Sequence, residues 1–180
     1  MTPLPPGLVR RLAGPRTLLA LALTVAALLL ALHWTGASAG FASTVLGKPF
    51  DERLNGYDPA QALAVIAGMD TPQYRAYLRY RLLDLPLPWV LGAWITGALA
   101  LLGAHRLAWV GLAVALTDTL ENLALWTVML QDAASPAVVH LASGLTQLKW
   151  VIYGLSLGLL GVVMARRWLL APVADGERRG

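Results

Sequence analysis

The 180-residue sequence contains no cysteine and few charged residues, and both absences narrow its class. Without cysteine the chain can form no disulfide, no thiolate metal site and no cysteine nucleophile, and redox chemistry does not indicate its compartment. Charged residues make up only 13% of the chain, and hydrophobic residues make up 57%. A soluble protein of this size could not bury that many apolar side chains in its core. The composition therefore excludes a soluble enzyme, a disordered tail and a multidomain chain, and predicts an integral membrane protein.

Familiar catalytic and cofactor motifs are absent too. The sequence has no Walker loop, no G-x-S-x-G elbow, no H-E-x-x-H motif and no dinucleotide-binding fingerprint. His33, His105 and His140 are not spaced as metal ligands from one another or from an acidic residue, so no metal site and no cofactor is predicted. The basic residues are divided among tails and loops, a distribution that does not indicate nucleic-acid binding.

Four apolar runs predict an all-α membrane protein, a bundle of four transmembrane helices in one membrane domain covering residues 1–180. The predicted spans are approximately 17–34, 86–104, 107–130 and 137–165. Pro86 and Pro88 fall in the first turn of the second span, where a missing N–H is harmless. Short connections at 105–106 and from Gln131 to Pro136 make the last three spans antiparallel neighbours.

The first apolar run has a second interpretation. Three arginines precede it, and the sequence from Ala37 to Ala39 is typical of a secretory signal cleaved after Ala39. Extended through Trp34, however, the run is long enough to cross a bilayer and at the upper edge for a cleaved signal. We therefore favour an uncleaved helix.

The distribution of lysine and arginine predicts the orientation. Eight lie in the two tails and the turn at 105–106, against five between Thr35 and Leu85. This excess favours cytoplasmic termini, since positively charged loops stay on the cytoplasmic side. Membrane lipids are the expected partners.

The hydrophilic segment 35–85 is predicted to form short helices on the outer side. Asp58-Pro59 and Thr71-Pro72 mark two helix starts. The second helix places Tyr77 and Arg81 on one face, which predicts an amphipathic helix along the outer interface. Its side chains either anchor it at headgroup level or form a lid over a site in the bundle. Asp84 either caps the following helix or lies at the mouth of that site.

Ionisable residues inside the third and fourth spans are the most informative feature. Asp118, Glu121 and Asn122 are spaced three and four residues apart, which places them on one arc of a helix. At about 1.5 Å per residue, Asp118 and Lys149 both lie roughly 18 Å deep in antiparallel spans, so the opposite charges are level. Two mid-span acids cost about 5–7 kcal/mol on an insertion scale, so the third span needs a partner for them.

The charges of this cluster do not cancel. One lysine against two acids leaves one negative charge, which water, another cation or protonation of one acid must offset. A neutral carboxylic acid beside an ammonium can perform acid–base chemistry, but a purely structural network contains the same groups. Ionisable residues within membrane spans favour a functional role over a purely structural one. Hydrogen bonds that only hold helices together can be made at lower cost with Ser, Thr and Asn.

We therefore predict a site within the bundle for a lipid or lipophilic small molecule, with acid–base chemistry as a further step. The candidate catalytic residues are Asp118, Glu121 and Lys149, and the candidate ligand contacts are Asn122, Tyr153, Thr146, Asp84 and Tyr77. The alternative is a noncatalytic accessory or assembly subunit in which the cluster fixes the helix register. A proton-coupled carrier is less supported, because four helices lack the inverted repeats of carriers.

Several of these residues also carry a resemblance. They are Gly56-Tyr57, Asp84, Asp118 with Glu121-Asn122-Leu123, and Thr146 with Lys149-Trp150. The pattern resembles that of a group of small bacterial multispan membrane proteins with no assigned activity, over about Gly56 to Trp150. The resemblance implies a four-helix bundle in a bacterial inner membrane. Apart from the resemblance, the spacing of Gly154, Gly158 and Gly161 in the fourth span predicts packing within the monomer, with dimerisation as the lesser alternative.

Overall fold

The computed structural model describes residues 5–41, 47–130 and 135–169, and within these it contains helices and turns but no strand. The α-helices in chain order are α1 (Pro6–Leu12), α2 (Pro15–Ser38), α3 (Pro59–Ala67), α4 (Thr71–Asp84), α5 (Leu87–Leu101), α6 (Trp109–Leu130) and α7 (Pro136–Leu169). Two 3₁₀ turns, Phe50–Glu52 and His105–Leu107, precede α3 and α6. The all-helical prediction is confirmed, and most of the predicted connection from Gln131 to Pro136 lies outside the described residues.

The short helices α3 and α4 both begin at capping boxes. Asp58 accepts a hydrogen bond of 2.8 Å from the backbone N–H of Gln61, whose side chain accepts one of 3.1 Å in return. Asp70 and Gln73 repeat the arrangement at 2.8 and 2.9 Å. Each box satisfies backbone donors that a helix start otherwise leaves unpaired. Both predicted helix starts are therefore present, the second capped by Asp70, one residue before Thr71.

Helices α4 and α5 follow each other with almost no break. Leu85 and Pro86 between them keep right-handed helical dihedral angles, with φ of −57° and −77°. We expected an interfacial helix and then a separate span from Pro86. The structure instead packs α4 against α2, because Tyr77, Tyr80 and Arg81 are buried on its inner face.

Three helical stretches are long and apolar enough to cross a membrane: Pro15–Ser38, Thr71–Leu101 and Pro136–Leu169. Helix α6 does not qualify by composition, since Asp118, Glu121 and Asn122 lower its hydropathy. The structure thus supports a helical membrane protein with three such helices. The predicted fourth crossing depends on how the neighbours of α6 cover those polar residues.

Helix α6 packs between α5 and α7. Gly92 of α5 and Gly111 of α6 bring the two backbones together so closely that a Cβ atom added to either glycine would clash with the backbone of the other. Thr96 donates a hydrogen bond of 2.9 Å to the carbonyl of Ala108 beside this contact. Small residues at such crossings allow close helix packing. The polar arc of α6 contacts α7 through Lys149 and α4 through Arg81.

The glycine stripe of α7 does not pack within the monomer as predicted. A Cβ atom added at Gly154, Gly158 or Gly161 would have no described atom within 4 Å. The close contact between helices lies at Gly92 and Gly111 instead. The cause is the orientation of α7, whose inward face is set by the buried residues Thr146, Lys149 and Ser156.

Candidate functional site

The first part of the site joins α6 to α7. Lys149 Nζ lies 2.6 Å from Glu121 Oε2 and 3.7 Å from Asp118 Oδ1. Thr146 donates a hydrogen bond of 2.6 Å to Glu121, and Tyr153 donates one to Asp118. All the charged groups here are at least 95% buried. The antiparallel helices therefore bring the acids and the lysine to one level, as their spacing predicts.

The second part joins α4 to the turn at Phe50–Glu52. Arg81 has no exposed surface, and its Nη1 lies 3.3 Å from both Asp51 Oδ1 and Asp84 Oδ2. Tyr80 donates a hydrogen bond of 2.8 Å to the other oxygen of Asp51. An arginine that is always charged needs such partners when it is fully desolvated. Arg81 is therefore the centre of a buried ion cluster rather than an anchor at headgroup level.

Asn122 connects the two parts into one network. Its side-chain oxygen accepts a hydrogen bond from Arg81, and its amide nitrogen lies 3.5 Å from Asp118 Oδ1. The buried charged groups in the described chain are Asp51, Asp84, Asp118, Glu121, Arg81 and Lys149. Four acids against two bases leave two negative charges in excess when all are ionised. Arg81 is thus a further cation, one of the three ways in which the sequence predicts the charge to be offset, but it brings two more carboxylates with it.

The segment 47–57 is held over this network by α7. Trp150 donates its indole N–H to the carbonyl of Asp51 at 2.9 Å, and the backbone N–H of Tyr57 donates to Ser143 at 2.9 Å. Gly56 has φ of +73° and lies against Ser143 and Gln147, where a side chain would clash. A left-handed turn this close to a helix requires glycine, so Gly56 fixes the path of the segment across the bundle.

Two ionisable groups of this segment have shifted pKa values. Partial burial raises the pKa of the Glu52 carboxyl above its ordinary value, and the neighbouring Asp51 raises it further. Burial likewise raises the pKa of the Tyr57 hydroxyl. Tyr57 therefore stays neutral at any physiological pH.

A cavity of about 600 Å³ lies beside the network. Its polar wall includes Asp51, Asp84, Asp118, Lys149, Tyr80 and Tyr153. Its apolar wall is formed mainly by α2, through Leu29, Leu32, Gly36 and Ala37, with Leu54, Leu87 and Phe41. The cavity is thus polar on the side of the network and hydrocarbon-like on the side of α2.

The structure divides the predicted site residues into two groups. Asp118, Lys149, Tyr153 and Asp84 line the cavity. Glu121, Asn122, Thr146 and Tyr77 do not line it and are fully buried. Tyr77, expected as a ligand contact, instead packs against the rings of Phe41, Phe50 and Tyr80. Asp84 makes no capping hydrogen bond to α5, so its alternative role as a helix cap is not observed.

Four residues of the site are not among the predicted site residues: Asp51, Tyr80, Arg81 and Trp150. The sequence did contain a signal for Arg81. Its spacing from Tyr77 and Asp84 places the three residues on one face of α4, as expected for a helix that covers the bundle. Asp51 offered none, because it lies in a turn whose position depends on tertiary contacts. Within the described ranges, no group of three histidine or acidic residues is arranged to hold a metal ion.

Comparison of the chain with protein families, with characterised proteins and with solved structures returns no match.

Proposed function

We propose that this protein is an integral membrane protein that binds a lipid or another amphipathic small molecule in the cavity between α2 and the polar network. The observation that carries the proposal is the division of the cavity into an apolar wall on α2 and a polar wall of buried ionisable groups. Its volume of about 600 Å³ suits a small amphiphile. A hydrocarbon chain would lie along α2, and a polar headgroup would face Asp118, Lys149 and Tyr153.

Four membrane crossings fit this arrangement best, and the resemblance to small bacterial membrane proteins implies that the membrane is a bacterial inner membrane. Asp118 is 2% exposed, and Glu121 and Asn122 have no exposed surface, so α6 presents none of its costly polar groups to lipid. We also assign α2 as a retained helix rather than a cleaved signal, because Leu32 and Ala39 belong to the core.

The charges at the two ends of the bundle support cytoplasmic termini. Arg167 donates a hydrogen bond of 2.7 Å to the carbonyl of Leu101, which places the end of α7 beside the end of α5. Leu12 contacts Gly97 near the same end. Arginines in the first and last helices thus gather at one end of the bundle, the distribution that the positive-inside rule associates with the cytoplasm.

Within the proposed site the residues have different roles. Asp118 and Lys149 line the cavity and would contact the headgroup, whereas Glu121 lies behind Lys149 and would position it. Any acid–base chemistry would therefore use Asp118 with Tyr153, whose hydroxyl is its hydrogen-bond partner.

The alternative proposal is an accessory or assembly subunit in which the network only fixes the helix register. The ion pairs between α6 and α7, and the hydrogen bond from Arg81 of α4 to Asn122 of α6, support this reading, since buried polar groups can specify one packing arrangement. The cavity beside the network favours binding.

The test compares two neighbouring residues of α2. Leu29 lines the cavity and Leu30 does not, although they are 51% and 59% exposed. Native mass spectrometry of the protein purified from its membrane should show a bound small amphiphile in the wild type and in Leu30→Trp, and its loss in Leu29→Trp. Equal occupancy in the two variants, or no bound molecule in the wild type, contradicts the binding proposal and favours the structural one.

A further inference from the structure

We infer that the headgroup accepted by this cavity is cationic, so that the ligand class is an amphiphile carrying an ammonium group. The inference rests on the proposed function, because it specifies the ligand of the same cavity. It follows from the charge of the cavity wall, from the aromatic rings in that wall and from acceptor oxygens that receive no hydrogen bond.

The wall of the cavity carries more negative than positive charge. Its acids are Asp51, Glu52, Asp84 and Asp118, and its lysines are Lys48 and Lys149. Directly behind the wall, Arg81 and Glu121 cancel each other. The buried groups of the wall, Asp51, Asp84 and Asp118 against Lys149, by themselves leave an excess of two negative charges when all are ionised. An uncompensated charge in such a poorly solvated place is costly. A cationic headgroup would offset part of this excess, and an anionic one would add to it.

The buried carboxylates are also short of hydrogen-bond donors. Asp51 Oδ1 and Asp84 Oδ2 accept no hydrogen bond from any described group. Both depend on the same Arg81 nitrogen, at 3.3 Å from each. Both aspartates line the cavity and are more than nine-tenths buried. A positive group in the cavity would stabilise these carboxylates through space in a region where water screens them little.

Aromatic rings complete the polar wall. Tyr80, Trp150 and Tyr153 line the cavity together with the carboxylates. The Trp150 ring already lies 5.9 Å from Lys149 Nζ, a separation at which the face of an indole attracts a cation. Carboxylates combined with aromatic faces favour an ammonium group over a phosphate or a carboxylate.

The class of headgroup can be tested with three probes that share one hydrocarbon chain: dodecylamine, dodecanol and dodecanoate. Binding of each to the full-length protein in nanodiscs would be measured by titration calorimetry, with Leu29→Trp as the correction for partition into lipid. We expect dodecylamine to bind at least about tenfold more tightly than dodecanoate, because opposite and like charges at contact differ by more than this in energy.

Charge variants sharpen the test. Glu52→Gln removes one acid from the exposed part of the cavity wall. It should therefore reduce the ratio by which dodecylamine binds more tightly than dodecanoate. Asp58→Asn is the matched control, since Asp58 is exposed, lies outside the cavity and can be replaced by another good capping residue. The control should leave the preference unchanged.

The outcomes separate the two claims. Equal or tighter binding of dodecanoate, with that binding abolished by Leu29→Trp, overturns the cationic headgroup and leaves the binding function standing. If Glu52→Gln and Asp58→Asn change the preference for dodecylamine over dodecanoate equally, that result also contradicts the inference about charge. If Leu29→Trp leaves the binding of all three probes unchanged, the cavity itself is refuted, and with it the proposed function.

Discussion

Replacing Arg81 by leucine should destabilise the protein severely. Arg81 has no exposed surface and is the partner of two carboxylates that are themselves more than nine-tenths buried. The substitution leaves both acids without a counter-charge, and breaking a buried pair in this way costs about 3–5 kcal/mol. For a chain of this size the expected fall in Tm is about 6–20 °C.

The matched control for this prediction is Arg79→Leu, which lies on the exposed face of the same helix. It should change the free energy of unfolding by no more than about 0.5 kcal/mol. The assay is unfolding by dodecyl sulfate in mixed micelles, followed through tryptophan fluorescence. Arg81→Lys should fall between the two, since a lysine keeps the charge but loses the planar fork. Equal stability of Arg81→Leu and Arg79→Leu would refute the buried network.

Two further predictions concern the helix contacts and the distances within the network. Gly111→Ala should lower the free energy of unfolding by about 1–3 kcal/mol, because the added methyl group forces the α5 and α6 backbones apart. Gly158→Ala, in open space, should raise it by about 0.5–1 kcal/mol, because alanine favours the helix more than glycine does. Reversal of these signs in the same micelle assay counts against the packing described. Double-mutant cycles should give Lys149 a coupling to Glu121 that exceeds its coupling to Asp118 by about 1–2 kcal/mol, because the separations are 2.6 and 3.7 Å; equal couplings disagree with this geometry.

The contact between α6 and α7 could be predicted from the sequence because it depends on helical rise alone. Asp118, Glu121 and Lys149 lie within long apolar runs, so counting residues from the span ends gives their depth. The charge imbalance of those three groups also indicated that water, another cation or protonation of one acid had to offset it. Regular geometry and the cost of burying charge were sufficient for this half of the site.

The other half depends on tertiary structure that periodicity does not encode. Asp51 reaches Arg81 only because Gly56 and Trp150 hold the segment 47–57 across the bundle. The sequence predicts that a new span starts at Pro86, yet the backbone of Pro86 continues the helical conformation of α4. Proline fixes φ near the helical value, so it is compatible with both outcomes. The packing of Tyr77 and Arg81 decides between them.

The reactivity of single cysteines on α2 tests the cavity most directly, because the natural chain contains no cysteine that would react in the background. The measurement is the labelling rate of Leu29→Cys and Leu30→Cys by a small cationic thiosulfonate in native membranes. The cavity predicts rapid labelling of Leu29→Cys, slowed by added dodecylamine, and slow labelling of Leu30→Cys in the hydrocarbon. Equal rates at the two positions, unaffected by the amphiphile, would contradict a cavity between α2 and the polar network.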